Sequence, residues 1–371
     1  MNAETMISLS SMNKLIIFSL MLVTLGCQQK TSTNSNKVSI VWEDERAIGL
    51  SIPKPVLKNA IEDSLPSQFQ VFLAKSGKQH AIAGEYSISQ HEIIFEPFIP
   101  LTRGLTYEVL VNHQIHFNLE IPKASEVPKL LAIYPSQDTL PENLLKIYLV
   151  FSKPMLRGHS LQYIKLSDNK GNSLPNIFLN LQQELWNEEG TVLTLWLDPG
   201  RIKRHLHPNE LLGPPLLEGK SYKLLISADW PDEQGSSLTS AYTKNIVTSG
   251  RDTSVPTPNN WKLKLPKAGT LQALELDLKE PHDYFLLQHT IHIVDHSGNI
   301  VRGTNLITDV ERKYSFTPAT PWSAGIYKLQ IEPQLEDLAG NNLDRLFDRD
   351  LKTSEKNHPV KNIYEREWQI E

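Results

Sequence analysis

The sequence predicts an all-β architecture of tandem β-sandwich units, and three observations carry that expectation. Prolines (24) outnumber glycines (18), and a ring that removes a backbone donor does not suit a chain built from long helices. Residues 144–172 align without a gap onto residues 271–299, at a constant shift of 127 positions. Leu144, Pro154, Ile164, Asp168, Gly171 and Asn172 meet identical residues there, and Ile147 and Leu149 meet Leu274 and Leu276 at the period of a half-buried strand. A corner signature also occurs three times. It reads Pro100-Leu101-x-x-Gly104-x-x-Tyr107, Pro215-Leu216-x-x-Gly219-x-x-Tyr222 and Pro321-Trp322-x-x-Gly325-x-Tyr327, each leading into an alternating run. At roughly 100–200 residues per domain, 371 residues suffice for two or three domains with cores of their own.

Taken in order, the first element is an apolar run at residues 15–25, preceded by Lys14. At 1.5 Å rise per residue it would span about 16 Å as a helix, half a hydrocarbon layer, so it has the proportions of a signal-peptide core and not of a spanning helix. Cys27, the single cysteine, follows Gly26. Thr24-Leu25-Gly26-Cys27 resembles the bacterial lipoprotein lipobox, with Thr24 where leucine is commoner. That resemblance implies that residues 1–26 are a lipoprotein signal peptide and that Cys27 carries a diacylglyceryl group and an N-acyl chain such as palmitate. At about 0.8 kcal/mol per buried CH₂, two or three acyl chains are a durable membrane anchor. A start at Met6 or Met12 would give the leader a more usual length. Residues 27–37 are polar and featureless, as a flexible tether requires. Gln28 resembles the signal for outer-membrane sorting.

Three units follow. Residues 121–129 and 250–260 are rich in Pro, Ser and Thr without periodicity and read as linkers. They place sandwiches at 38–122, 126–249 and 258–350, with an inserted loop at 200–214 in the second and a polar tail at 351–371. Asp-x-x-Gly-Asn closes alternating runs at Asp168 and Asp295, and Asp-x-x-Gly recurs at Asp232 and Asp337, which is turn chemistry.

The corner glycine followed by a tyrosine at the start of a strand resembles the tyrosine corner of Ig-like sandwiches. Ile133-Tyr134-Pro135-x-x-Asp138, Pro141-Glu-Asn143 and Phe151-Ser152-Lys153-Pro154-Met155 are similar to the opening of SbsA-type bacterial Ig-like domains, and Asp337-Leu-Ala-Gly340-Asn341 to their closing turn. The resemblance implies tandem Ig-like β-sandwich domains acting as spacers or binding modules of a cell envelope. Fold alone does not fix function.

Chemistry is sparse. The balance of 37 basic and 42 acidic side chains, net -5, does not suit a general nucleic-acid footprint. One cysteine excludes an intrachain disulfide, a CxxC pair and a thiolate zinc cluster. No GxSxG elbow or HExxH helix is present. Residues 213–221 are one residue too long for a P-loop, and Gly219 already serves the corner. The conspicuous departure from the repeat is the insertion in unit two, which holds Arg201, Lys203, Arg204, His205, His207 and Glu210. On an extended backbone His205 and His207 would share a face, a weak metal pair with Asp198 or Glu210. Arg201, Lys203 and Arg204 suit an anionic group. An ordered loop packed on a neighbouring unit, its arginines paired to acids, explains the same residues. Trp186, Trp196 and Trp230 suggest a sugar-stacking surface or a core. Asp337, Asn341, Asn342, Asp344, Asp348 and Asp350 concentrate oxygen ligands, as calcium at a domain edge would need.

The expectation is therefore a non-enzymatic, lipid-anchored envelope protein of the outer membrane, acting as a binding or scaffolding module, with no cofactor. Its partners are the membrane through Cys27 and another envelope protein or a polysaccharide, with no nucleic acid. The alternative is an envelope enzyme or metal-binding protein with its site at 198–214.

Overall fold

The computed structural model describes residues 37–43, 46–57, 64–74, 80–123, 126–348 and 362–371. The leader, Cys27 and the tether up to residue 36 lie outside the described residues. Unit one comprises β1 (Ser39–Glu43), β2 (Arg46–Pro53), the short helix α1 (Leu65–Gln68), β3 (Phe69–Leu73), β4 (Gly84–Ile88), β5 (Glu92–Pro97), β6 (Thr106–Val111) and β7 (Gln114–Glu120). These pair as β1-β2-β5-β4 and β3-β6-β7.

Unit two begins with β8 (Leu130–Tyr134), β9 (Thr139–Pro141), β10 (Lys146–Phe151), β11 (Ile164–Asp168) and β12 (Leu185–Trp186). It continues with β13 (Val192–Trp196), the helices α2 (Pro199–Ile202) and α3 (His207–Leu212), β14 (Ser221–Ile226) and β15 (Tyr242–Ser249). Its sheets are β12-β13-β10-β8 and β11-β14-β15-β9, with β9 parallel to β15. Unit three comprises β16 (Lys262–Lys264), β17 (Leu274–Asp277), α4 (Tyr284–His289), β18 (Ile291–Asp295), β19 (Gly303–Thr308), β20 (Lys313–Pro318), β21 (Gly325–Ile331) and β22 (Tyr364–Ile370). It pairs as β16-β17-β20-β19 and β18-β21-β22.

Lettered A to G within each unit, with β9 set aside, the strands form A-B-E-D on one sheet and C-F-G on the other. That is the order of an Ig-like sandwich. Alternation decides which residues face inward: Leu50, Ile52, Ile93, Phe95 and Val109 in unit one are fully buried. The three tyrosines behave alike. The Tyr107 hydroxyl accepts the Thr102 N–H at 2.8 Å, Tyr222 accepts from Leu217 at 2.9 Å, and Tyr327 accepts from Ser323 at 3.2 Å.

The polar tail needs correction. Its end is strand G of unit three, pairing along β21 from Gly325↔Ile370 to Ile331↔Tyr364. The segment Tyr364-Glu-Arg-Glu-Trp368-Gln-Ile370 alternates, so Trp368 and Ile370 are buried while Glu365 and Glu367 face water.

The Asp-x-x-Gly turns share one hydrogen-bond set. In three of them one carboxylate oxygen, of Asp168, Asp295 or Asp337, accepts the N–H groups two and four residues on. The other oxygen accepts the side-chain amide of Asn172, Asn299 or Asn341. At Asp232 the first oxygen accepts from Gln234 and Ser236, but serine replaces the asparagine and the buried Oδ2 has no partner. An unpaired buried acceptor is costly, and burial raises the Asp232 pKa.

Units two and three are joined through buried contacts. Lys146 Nζ on β10 lies 2.6 Å from Glu336 and 3.3 Å from Asp283. The Tyr148 hydroxyl donates to Asp283 at 2.6 Å. Tyr134 stacks on Tyr284 with centroids 3.7 Å apart, and Leu145 N–H donates to the Leu338 carbonyl. Gly340, at φ +79°, lets the closing turn lie against Leu145, where a Cβ would sit 2.3 Å from its Cδ2. Burial works against the Lys146 ammonium, yet the two carboxylates outweigh it and hold its pKa above the usual lysine value.

Two outcomes follow from these contacts. A fragment of residues 258–371 should give a cooperative β-type unfolding transition, whereas 258–350, deprived of Trp368 and Ile370, should lose several kcal/mol (about 3–5 for a buried aromatic alone) and fail to fold; circular dichroism of both fragments checks this. Ser236→Asn should supply the missing donor to Asp232 and stabilise unit two by about 1 kcal/mol, read as a raised calorimetric transition.

Candidate functional site

The insertion departs from the repeat at strand E, where β13 ends, and rejoins it at the tyrosine corner before β14. Asp198 caps α2 by accepting the Gly200 N–H at 2.8 Å, and Pro199 stands at its first position. Ile202 is fully buried in the core of unit two. Arg201 is 7% exposed and donates to four carbonyls: Nη1 to Asn176, Nε to Gly213, and Nη2 to Leu212 and Pro214. It staples the chain after α3 to the segment after β11. Burial lowers its pKa.

Arg204 reaches unit three, with Nε 2.8 Å from Asp348 Oδ2 and its N–H on Oδ1 at 3.1 Å. Arg251, from the linker, shares that carboxylate at 2.9 Å and also donates to the Ile202 carbonyl. Lys203 Nζ sits 4.3 Å from the centroid of the Phe347 ring. Lys203 and Arg204 of the insertion therefore meet the neighbouring unit.

The metal pairing of His205 and His207 is not formed. His205 has φ +63° and His207 opens α3, so the backbone between them is not extended. Both side chains are exposed, as is Glu210. No group of three His, Cys, Asp or Glu side chains among the described residues gathers in a metal-type arrangement. The oxygen-rich stretch of unit three is likewise spoken for. Asp337 caps its turn, Asn341 Oδ1 accepts the Phe347 N–H, Asn342 accepts from Asp344 and Arg345, and Asp344 accepts the Tyr364 hydroxyl; Asp350 lies outside the described residues.

The tryptophans are not a sugar platform. Trp230 is fully buried, stacked on Tyr163 at 5.4 Å and edge-on to Phe151 and Trp186. Trp186 donates to Glu184, and Trp196 is partly buried beneath Lys146.

The remaining feature is a groove that the sequence does not reveal. It has a volume of about 730 Å³ and runs between the Asp168 turn and the chain leaving α3, with Leu174, Pro175, Leu212, Pro214 and Leu217 on its walls. Lys170 and Lys220 stand at one end, because Asp168 pairs with Tyr222 across β11 and β14. By contrast, the buried Lys146–Asp283–Glu336 cluster encloses only about 10 Å³, room for one water.

Replacing residues 201–210 by a short turn should lower the unfolding free energy of unit two by at least about 2 kcal/mol, the cost of emptying a site like that of Ile202. Loop length contributes only about 0.6 kcal/mol per doubling and cannot offset this. An unchanged melting transition in calorimetry would overturn the packing role.

No family model matches the chain, and no curated protein matches it. Among solved structures it is similar to the N-terminal part of the bacterial S-layer protein SbsC, at 13% identity and a TM-score of 0.23, over 56% of this chain and 41% of that one. It thus spans less than half of that structure. A three-domain segment of titin aligns over 82% of this chain and 92% of its own length, at 13% identity and a TM-score of 0.21. The N-terminal Ig1-2 module of Drosophila receptor protein tyrosine phosphatase DLAR aligns at 11% identity and a TM-score of 0.20, over 57% and 93%. The Ig-like assignment rests on strand order and tyrosine corners, not on these scores.

Proposed function

We propose that the chain is a non-enzymatic, lipid-anchored cell-envelope protein built from SbsA-type Ig-like domains, and that it presents a binding surface for envelope components. The single observation that carries the binding role is the groove of unit two, about 730 Å³ in volume, the size class of ligand sites. It lies on a unit held to its neighbour by buried contacts, which keeps its position fixed relative to unit three. The non-enzymatic reading is supported by where the buried titratable groups are. Lys146 is shared between Asp283 and Glu336 beside a space of only about 10 Å³, too small for a substrate. The anchor reading is supported by the apolar run, Gly26 and Cys27. No helix of the described residues is long and apolar enough to cross a membrane.

The anchor is tested by Cys27→Ala. The parent chain should sediment with membranes and resist a high-salt wash, because acyl chains and not charge hold it. The variant should appear as a soluble or unprocessed chain. Equal retention of both after the wash would sink the lipid-anchor reading.

A further inference from the structure

We propose that the groove of unit two binds an anionic amphiphile, a molecule with an acyl-type body and an acidic head. The inference rests on the reading of the chain as a binding module and names the ligand class of that site.

Charge comes first. Three cations line the groove: Arg201, Lys170 and Lys220. Arg201 is only 7% exposed, yet its hydrogen bonds go to carbonyl oxygens alone; no carboxylate is at ion-pair distance, and Asp198 acts on it only through space. The side chains of Lys170 and Lys220 are exposed and make no hydrogen bond or ion pair with any described residue. The one carboxylate on the lining, Asp168, accepts from the N–H groups of Lys170 and Asn172 and the Asn172 amide, and feels the charge of Lys170 alone among the three cations. A chain of net charge -5 thus carries a groove with three cations against one acid. An anionic head fits that imbalance.

The walls decide the body. Leu212 and Leu217 are 53% and 49% exposed and both face the groove. Covering them calls for an apolar partner. The same walls have little to offer a peptide. Pro175, Pro214 and Pro215 have no N–H to donate, and the carbonyls of Asn176, Leu212, Gly213 and Pro214 are taken by Arg201. A peptide would leave its backbone groups short of partners, at a cost that an acyl chain does not incur.

The test titrates dodecanoate, below its micelle concentration, into the full chain carrying Cys27→Ala, purified without detergent, with calorimetric detection. Saturable binding is expected. Dodecyltrimethylammonium, with the same body and the opposite head, should bind at least tenfold more weakly, and acetate should not bind. Lys170→Glu with Lys220→Glu should weaken dodecanoate at least tenfold. Leu212→Ser with Leu217→Ser should do the same, and all four positions are exposed, so the fold should keep its melting transition. Three outcomes overturn the proposal: no saturable binding, equal binding of the cationic amphiphile, or unchanged affinity in either double variant. Tighter capture of an acidic octapeptide than of dodecanoate also overturns it, in favour of a peptide site. Each of these leaves the membrane-anchor test unaffected.

Discussion

A phenol hydroxyl at the mouth of strand F fixes how each sandwich closes. The crossing from strand E to strand F must bridge two sheets, and a backbone N–H on the way would otherwise face the core edge without a partner. Tyr107, Tyr222 and Tyr327 each take one such N–H, while their rings fill the core below. The bond makes the last few residues of the crossing independent of what precedes them. Unit two exploits that independence. Its crossing carries α2 and α3, but Leu217 is still captured by Tyr222 as if the detour were absent. The groove follows from this: the detour must return to a fixed point, and in returning it stands off from the Asp168 turn.

The joint between units two and three is of a different kind. A buried lysine between two carboxylates costs desolvation, and such a group confers little net stability over an apolar filling. What it does provide is direction. Lys146 has acceptors on Asp283 and Glu336 only when β10 faces the start of α4 and the closing turn of unit three. The Tyr134–Tyr284 stack, the Leu145–Leu338 backbone bond and the Arg204–Asp348 pair restrain the same angle from separate points. The insertion is thus both a wall of the groove and a strut of the joint.

Much of the fold was legible in residue order, because its signals are local. Alternation marks β10 and β17, proline and glycine mark the corners, and Asp-x-x-Gly marks turns whose hydrogen bonds close within four residues. Strand β22 was not legible: with Glu365, Arg366 and Glu367 among its seven residues, it reads as solvated chain. Only the distant partner β21 makes a strand of it. The joint was invisible for a related reason. Lys146 occupies an alternating position that suits a solvent-facing residue, and only unit three turns that face inward. Of the insertion, the presence of function-bearing or packing residues was readable, but not their division. Arg201 and Ile202 are two neighbours in sequence that both go inside, while His205 and His207 are left in water. The groove itself joins residues some forty positions apart, and nothing local announces it.

The parallel pairing of β9 with β15 has a mechanical meaning. These strands lie near the two ends of unit two and run side by side in the same direction, from Val247↔Thr139 to Ser249↔Pro141. A pull applied through the ends of the unit drags them in opposite senses along their length. Their hydrogen bonds then share the load and must break together, as in shear, and cannot open one at a time like a zip. Among the described residues of units one and three the outermost strands, β1 with β7 and β16 with β22, sit on opposite sheets and have no such clasp. Under tension along the chain, the unit that carries the groove is the one built to hold its shape.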